Sequence, residues 1–153
     1  MALPDIFSEK VSSDIIDRIN RLNHESKPKW GKMNVAQMLA HCCVTYEYVY
    51  EPDKYPKPGF LMRFILKSMV KKSVVNEIKY KQNLRTGPDF VIADKKDFEY
   101  EKNRLTQFIK RVQYEGGQSF DGRISRSFGK LNRTEWNNMF YKHLDHHLSQ
   151  FGV

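Results

Sequence analysis

Apolar residues in this chain return at steps of three and four, and that spacing restricts the fold more than any other feature. Val11, Ile15, Ile19 and Leu22 form the first such row. Steps of three and four bring side chains back to one face of a helix, whereas strands need steps of two. The row predicts a helix over about 9–23, ended by His24 and the Pro28-Lys29-Trp30-Gly31 turn. A second row, Val35, Met38, Leu39, Cys42, Tyr46 and Val49, follows Asn34, with Gln37 three residues on in a capping-box arrangement. Pro52, Pro56, Pro58 and Gly59 break it, and Phe60 to Lys72 predicts a short third helix. Residues 73–93 carry no sustained period and contain Gly87-Pro88, which predicts a loop or a short irregular strand. Asp94 is the expected cap of a fourth helix, bearing Phe98, Leu105, Phe108, Ile109 and Val112 and stopping before Gly116-Gly117. Asn132 to Glu135 is a second capping box, opening a last helix that runs to about Phe151, with Gly152 just past its end. Four long amphipathic helices and a short one predict an all-α fold. The expected architecture is an up-and-down four-helix bundle with an extra short helix and a long irregular connection.

With 153 residues, a single domain spanning 1–153 can bury a core without disulfide staples. A 40% hydrophobic and 13% aromatic content excludes disorder as the main state. No apolar run approaches the roughly 18 residues of a membrane span, so none is expected. The opening MALPDIFSEK lacks a basic stretch followed by an apolar one, so no secretory signal is read there. Cys42 and Cys43 are neighbours and pair only in a strained vicinal disulfide. Both are expected to be reduced, which points to a cytoplasmic location.

The net charge is +8, and it is concentrated. Residues 54–85 hold nine cations against one anion, Glu77, so the remainder of the chain is balanced. Nucleic-acid binding, which calls for a basic face spread over the fold, is therefore not expected. A local anion site, a membrane surface or a partner surface stays open. Within Phe60 to Lys72, Arg63, Lys67 and Lys71 step by four and form one cationic ridge, a candidate for steering an anionic cofactor or substrate. The plainer reading is a helix packed on the bundle with its basic edge in water.

The last helix carries the chemistry. At about 100° per residue, Trp136, Phe140, His143, Leu144, His147 and Phe151 fall in one sector about 100° wide. Asp145 lies opposite, facing solvent, and His146 lies on the flank. Two histidines one turn apart on an apolar stripe each need partners for their polar ring nitrogens, and one shared ion satisfies both. The same spacing also arises by chance on helices. A third ligand has to come from another helix. His41 sits at the border of the second helix's apolar stripe, Cys42 points inward more squarely, and His24 lies at the end of the first helix. Position on the helix leaves His41 and Cys42 both open, although a buried cysteine is more often a small hydrophobe.

The segment Pro28-Lys29-Trp30-Gly31-Lys32-Met33-Asn34-Val35-Ala36-Gln37-Met38-Leu39-Ala40-His41-Cys42 resembles the start of helix 2 in the DinB/YfiT-like metalloenzyme superfamily, closest to a branch known as a domain of unknown function. The ending Trp136 to Val153, with Ser127-Phe128-Gly129-Lys130-Leu131 before it, is similar to the same branch's tail. The resemblance implies a four-helix bundle that holds a divalent metal through one histidine of the second helix and a His-x-x-x-His pair of the last. Carried over, these are His41, His143 and His147, and the resemblance chooses His41 over Cys42. Zinc or nickel is the expected ion. Relatives in the superfamily include thiol-dependent transferases, which implies a low-molecular-weight thiol as a second cofactor, and hydrolases without known substrate.

Three imidazoles leave coordination positions open, the pattern of a catalytic rather than a structural zinc site. The expected activity is thiol S-transfer or hydrolysis on a small-molecule, anionic substrate, and a homodimer is compatible with it. No general base stands out. Tyr48, two turns from His41, is a candidate proton donor or simply an edge residue, and Gln37 and Thr45 flank His41 as groups able to order a water. The alternative is a non-catalytic bundle with a vestigial metal, whose basic helix 60–72 binds a partner or an anionic surface.

Overall fold

A computed structural model describes residues 2–153. Six α-helices and one two-stranded hairpin follow in the order α1 (Glu9–Asn20), α2 (Val35–Tyr50), α3 (Phe60–Ile65), α4 (Lys71–Val75), α5 (Phe98–Phe120), β1 (Ile124–Ser125), β2 (Gly129–Lys130) and α6 (Arg133–Gln150). The all-α expectation therefore holds, with the hairpin as a small addition. Its strands are antiparallel, pairing Ile124 with Lys130 and Ser125 with Gly129.

The helices start where side chains can take the first free N–H groups. Ser8 accepts from Val11 N–H ahead of α1. Asn34 and Gln37 form a reciprocal capping box on α2, and Asn132 and Glu135 form another on α6, as their spacing predicts. The α5 cap is a correction. Asp97, not Asp94, accepts from Tyr100 N–H at 2.7 Å, and Asp94 pairs with Lys96 instead. Helix formation starts three residues later because Phe98 is buried. α5 also continues past its expected stop. Gly116 turns the chain at φ 72°, ψ 156°, and one more turn carries Phe120 into the core.

The third predicted helix extends further than expected. α3 and α4 are joined through a wide turn, Leu66–Val70, in which Lys71 N–H donates to Leu66 O, five residues back. Residues 73–75 are thus helical rather than loop. The remaining stretch to Asp97 is irregular apart from one tight turn at Pro88–Phe90.

α2 packs most extensively on α5, and α1 also lies on α5. α6 touches α1, α2, α4 and α5. The shared core is aromatic. Tyr46 stacks between Phe140 and Phe108, and Phe120 meets Phe7, Trp136 and Phe140. Trp136, Phe140, Leu144 and Phe151 are all buried, as the α6 stripe predicts. Asp145 is not free in solvent as expected. It pairs with Arg18 of α1 at 2.9 Å, and its side chain is only 22% exposed.

α6 also reaches outward through buried polar groups. Asn137 Oδ1 accepts from Ile6 N–H at 2.8 Å. Asn138 donates to Val75 O, and Lys142 Nζ donates to Ser73 O and Asn76 O at 2.8 and 2.7 Å. These two side chains satisfy carbonyls that the end of α4 leaves open. Among the described residues no helix is long and apolar enough to cross a membrane.

Candidate metal centre

The middle of α2 is buried on nearly every side, so a residue at the border of its apolar stripe still points inward. His41 is 4% exposed. From α6, His143 and His147 project toward it one turn apart, and the three ring centroids lie 4.5 to 5.0 Å from one another. One ring nitrogen of each lies within 4.8 Å of the other two.

The opposite ring nitrogen of each histidine is held by a separate partner. His41 Nδ1 is 2.8 Å from Phe90 O. His147 Nδ1 is 2.8 Å from Gln150 Oε1. His143 Nδ1 is 3.0 Å from Thr45 Oγ1. A carbonyl only accepts, so His41 carries its proton on Nδ1 and presents a lone pair on Nε2. Gln150 Nε2 donates to Trp30 O at 2.7 Å, which orients its amide with Oε1 toward His147. His147 is thereby held in the same tautomer. Acceptors of this kind, behind a metal-binding imidazole, fix the ring and raise its basicity toward an ion.

His143 is the adaptable member. Its Nε2 lies 3.0 Å from His41 Nε2. With no ion between them, His143 Nε2–H donates to His41 and the Thr45 hydroxyl donates to His143 Nδ1. With an ion, His143 would carry its proton on Nδ1, where Thr45 Oγ1 would accept it. A hydroxyl serves either role. The His41–His143 spacing is close to that of two nitrogens that would share one ion, and the His147 nitrogen lies within 4.8 Å of both. The donor set, its tautomers and its spacing all fit a divalent ion.

Burial disfavours charge on all three rings. It lowers His41 and, together with the neighbouring imidazoles, takes His143 well below its usual value. His147 falls to about 3, also chiefly through burial. Neutral imidazole is the ligating form, so the cluster is ready for an ion at neutral pH without shedding protons.

The cluster borders a cleft of about 1120 Å³. Phe90, Trp136 and Met139 contribute apolar wall near the histidines, and Met62, Leu66, Val70 and Val74 contribute it from the α3–α4 side. Tyr48 lines the cleft, and its hydroxyl donates to Asp89 at 2.7 Å. Burial and the Asp89 carboxylate both push its pKa up, so the phenol keeps its proton. The cations lining the cleft are Lys32, Lys57, Lys81, Arg85 and Arg126. Arg63, Lys67 and Lys71 are not among the lining residues, and Lys67 and Lys71 border a separate shallow groove with Glu135.

The other candidates lie apart from the centre. His24 sits against Phe98 and 3.6 Å from Glu99. His146 lines the cleft between Trp30 and Tyr80 but is outside the ligand group. Cys42 and Cys43 are free and buried, and burial raises both thiols. Cys42 packs as a small hydrophobe. Gln37 is used up as a helix cap. The Phe90 carbonyl and Gln150 escaped the sequence reading. Gln150 had a signal, since it lies three residues after His147 on the same helix. Phe90 had none, because a backbone acceptor in an aperiodic loop leaves no trace in residue type.

No curated protein and no solved structure matches the chain. A family model described as "Protein of unknown function (DUF1569)" matches residues 9–152 and so takes in all three histidines. With nearly its whole length matched, the chain belongs to that family.

Proposed function

We propose that this protein is a divalent-metal enzyme of the thiol S-transferase or hydrolase type, a DinB-like four-helix-bundle domain over 1–153. His41, His143 and His147 hold the ion. One observation carries the reading. Three imidazoles from two helices have their outer nitrogens tied to three separate partners and their inner nitrogens turned together beside a cleft. A structural site would be closed by a fourth protein ligand; among the described residues no cysteine, aspartate or glutamate joins the group.

A zinc or nickel ion with open positions supplies Lewis acidity toward a water or a low-molecular-weight thiol. The chain's own residues do the rest. Phe90 O, Thr45 and Gln150 orient the rings. The apolar wall excludes water from the reacting end of the substrate. Tyr48 keeps its proton, which it shares with Asp89 at rest, and is the candidate donor on the cleft wall. Arg126 is already committed to the carbonyls of Pro52, Tyr55 and Pro56. Lys32, Lys57, Lys81 and Arg85 are the exposed cations at the cleft, and they suit an anionic group on the substrate.

Elemental analysis and metal titration of protein prepared without a histidine tag test the reading. About one equivalent of bound zinc or nickel is expected, and His143→Ala and His147→Ala should lose it while keeping the helical circular-dichroism spectrum. Thiol transfer to a panel of small electrophiles, and hydrolysis of small esters and amides, should vanish in the same variants. Failure of the wild-type protein to bind either ion overturns the proposal.

A further inference from the structure

The helical segment Phe60–Val75 has an outer face that nothing covers. Phe60, Leu61, Phe64, Ile65 and Met69 are 88%, 71%, 63%, 36% and 73% exposed. Single exposed apolar residues are ordinary, but a contiguous group of large ones marks an interaction surface. The opposite side of the same segment, through Leu66, Val70 and Val74, walls the cleft. Along one edge run Arg63, Lys67 and Lys71, and Lys72 is also exposed to solvent. Lys71 bridges to Glu135 at 2.9 Å. Among the described residues, Arg63, Lys67 and Lys72 have no ion-pair partner.

The charge pattern selects the occupant. A second copy docked by two-fold symmetry would set this face against itself, in a stretch where nine cations accompany one anion. An acidic protein would meet the cations but would leave Leu61, Phe64 and Ile65 to be matched by a separate apolar groove. A bilayer bearing anionic lipids meets both needs at once. Apolar side chains seat at the headgroup–acyl boundary while lysine and arginine stems lie along it with their charges at the phosphates.

We propose that Phe60–Lys72 docks the protein on an anionic lipid bilayer, with Leu61, Phe64 and Ile65 inserted and Arg63, Lys67 and Lys72 at the headgroups. The inference does not depend on the metal reading. Because the docking helix is also a wall of the cleft, docking brings the cleft to the membrane surface.

Co-sedimentation of the full chain with vesicles tests this. Vesicles of one-third phosphatidylglycerol in phosphatidylcholine should bind the protein at least about tenfold more tightly than phosphatidylcholine alone, with the difference shrinking as salt rises. Phe64→Glu should lower binding about tenfold or more. Arg63→Glu with Lys67→Glu should lower it by about fivefold or more per cation. These side chains are exposed, so unchanged circular dichroism and melting should accompany the loss. His147→Ala should lose metal and keep vesicle binding, which separates this proposal from the previous one. Absence of binding to anionic vesicles overturns it. So does binding that ignores lipid charge or survives Phe64→Glu. A dimer that Phe64→Glu dissociates, without vesicle binding, assigns the face to a second copy. Binding to poly-glutamate but not to vesicles assigns it to an acidic protein.

Discussion

Gln150 holds His147 as Phe90 O holds His41, and each relation can be tested one atom at a time. Gln150→Leu removes the acceptor and leaves the His147 Nδ1–H without a partner. Chelator competition should show metal affinity reduced about 10- to 100-fold, the usual effect of losing a partner behind a ligand. The fold itself should lose only about 1–3 kcal/mol. Gly31 belongs to the same small assembly. It sits at φ +81°, and a Cβ there would come within 2.6 Å of Gln150 Nε2. Phe140, fully buried against Tyr46, Phe120 and Trp136, answers for the core. Phe140→Ala should cost about 3–5 kcal/mol in denaturant unfolding. His143, His147 and Phe140 were readable from the sequence because a helix converts spacing into direction. His41 was not readable from direction alone, since the wheel left it at a border; burial of α2 on nearly all sides is a property of its neighbours.

Helix beginnings were legible wherever a capping residue and its reciprocal partner stood three apart, as at Asn34 and Asn132. The start of α5 was misplaced at Asp94, because an aspartate can cap any helix beginning and the burial of Phe98, which sets the true cap at Asp97, comes from its neighbours. The turn at Leu66–Val70 was invisible, because nothing in residue type announces one surplus residue. Its effect is geometric. Residues four apart on an α-helix drift about 40°, so Met62 and Val74 would end about 120° apart. Unwinding through the wide turn brings both toward the cleft. Deleting Ser68, which is exposed, should therefore turn the segment into a regular helix with Met62 and Val74 about 20° apart. Stability in thermal melts should change by less than about 1 kcal/mol. Deleting Ala40 from α2 instead rotates His41 by about 100° against Val35, and should abolish folding and metal binding together.

For the whole molecule, the helical class was legible in the period of the apolar residues. The path of residues 76–97 was not, because that stretch has no period, and it brings Phe90 to the site. The buried histidines also set an acid limit. Their folded values lie below the unfolded value near 6.5. Their contribution is thus complete above pH 6.5 and is lost as pH falls toward the folded values, about 3 for His147. Each group adds up to about 1.4 kcal/mol per pH unit to the slope in that window. Metal-free protein should accordingly melt at progressively lower temperature from pH 6.5 to 4.5, and replacing His147 with Gln should flatten the trend. α6 has a further consequence, for time rather than strength. Asn137 meets Ile6 across 131 positions, Asp145 meets Arg18 across 127, and His143 meets His41 across 102. Such distant pairings slow a chain whose helices alone would form in microseconds. The ion's seat exists in no local fragment, so on refolding tryptophan fluorescence and metal uptake should rise with one rate constant, and the amides of α6 should exchange only when the entire molecule opens.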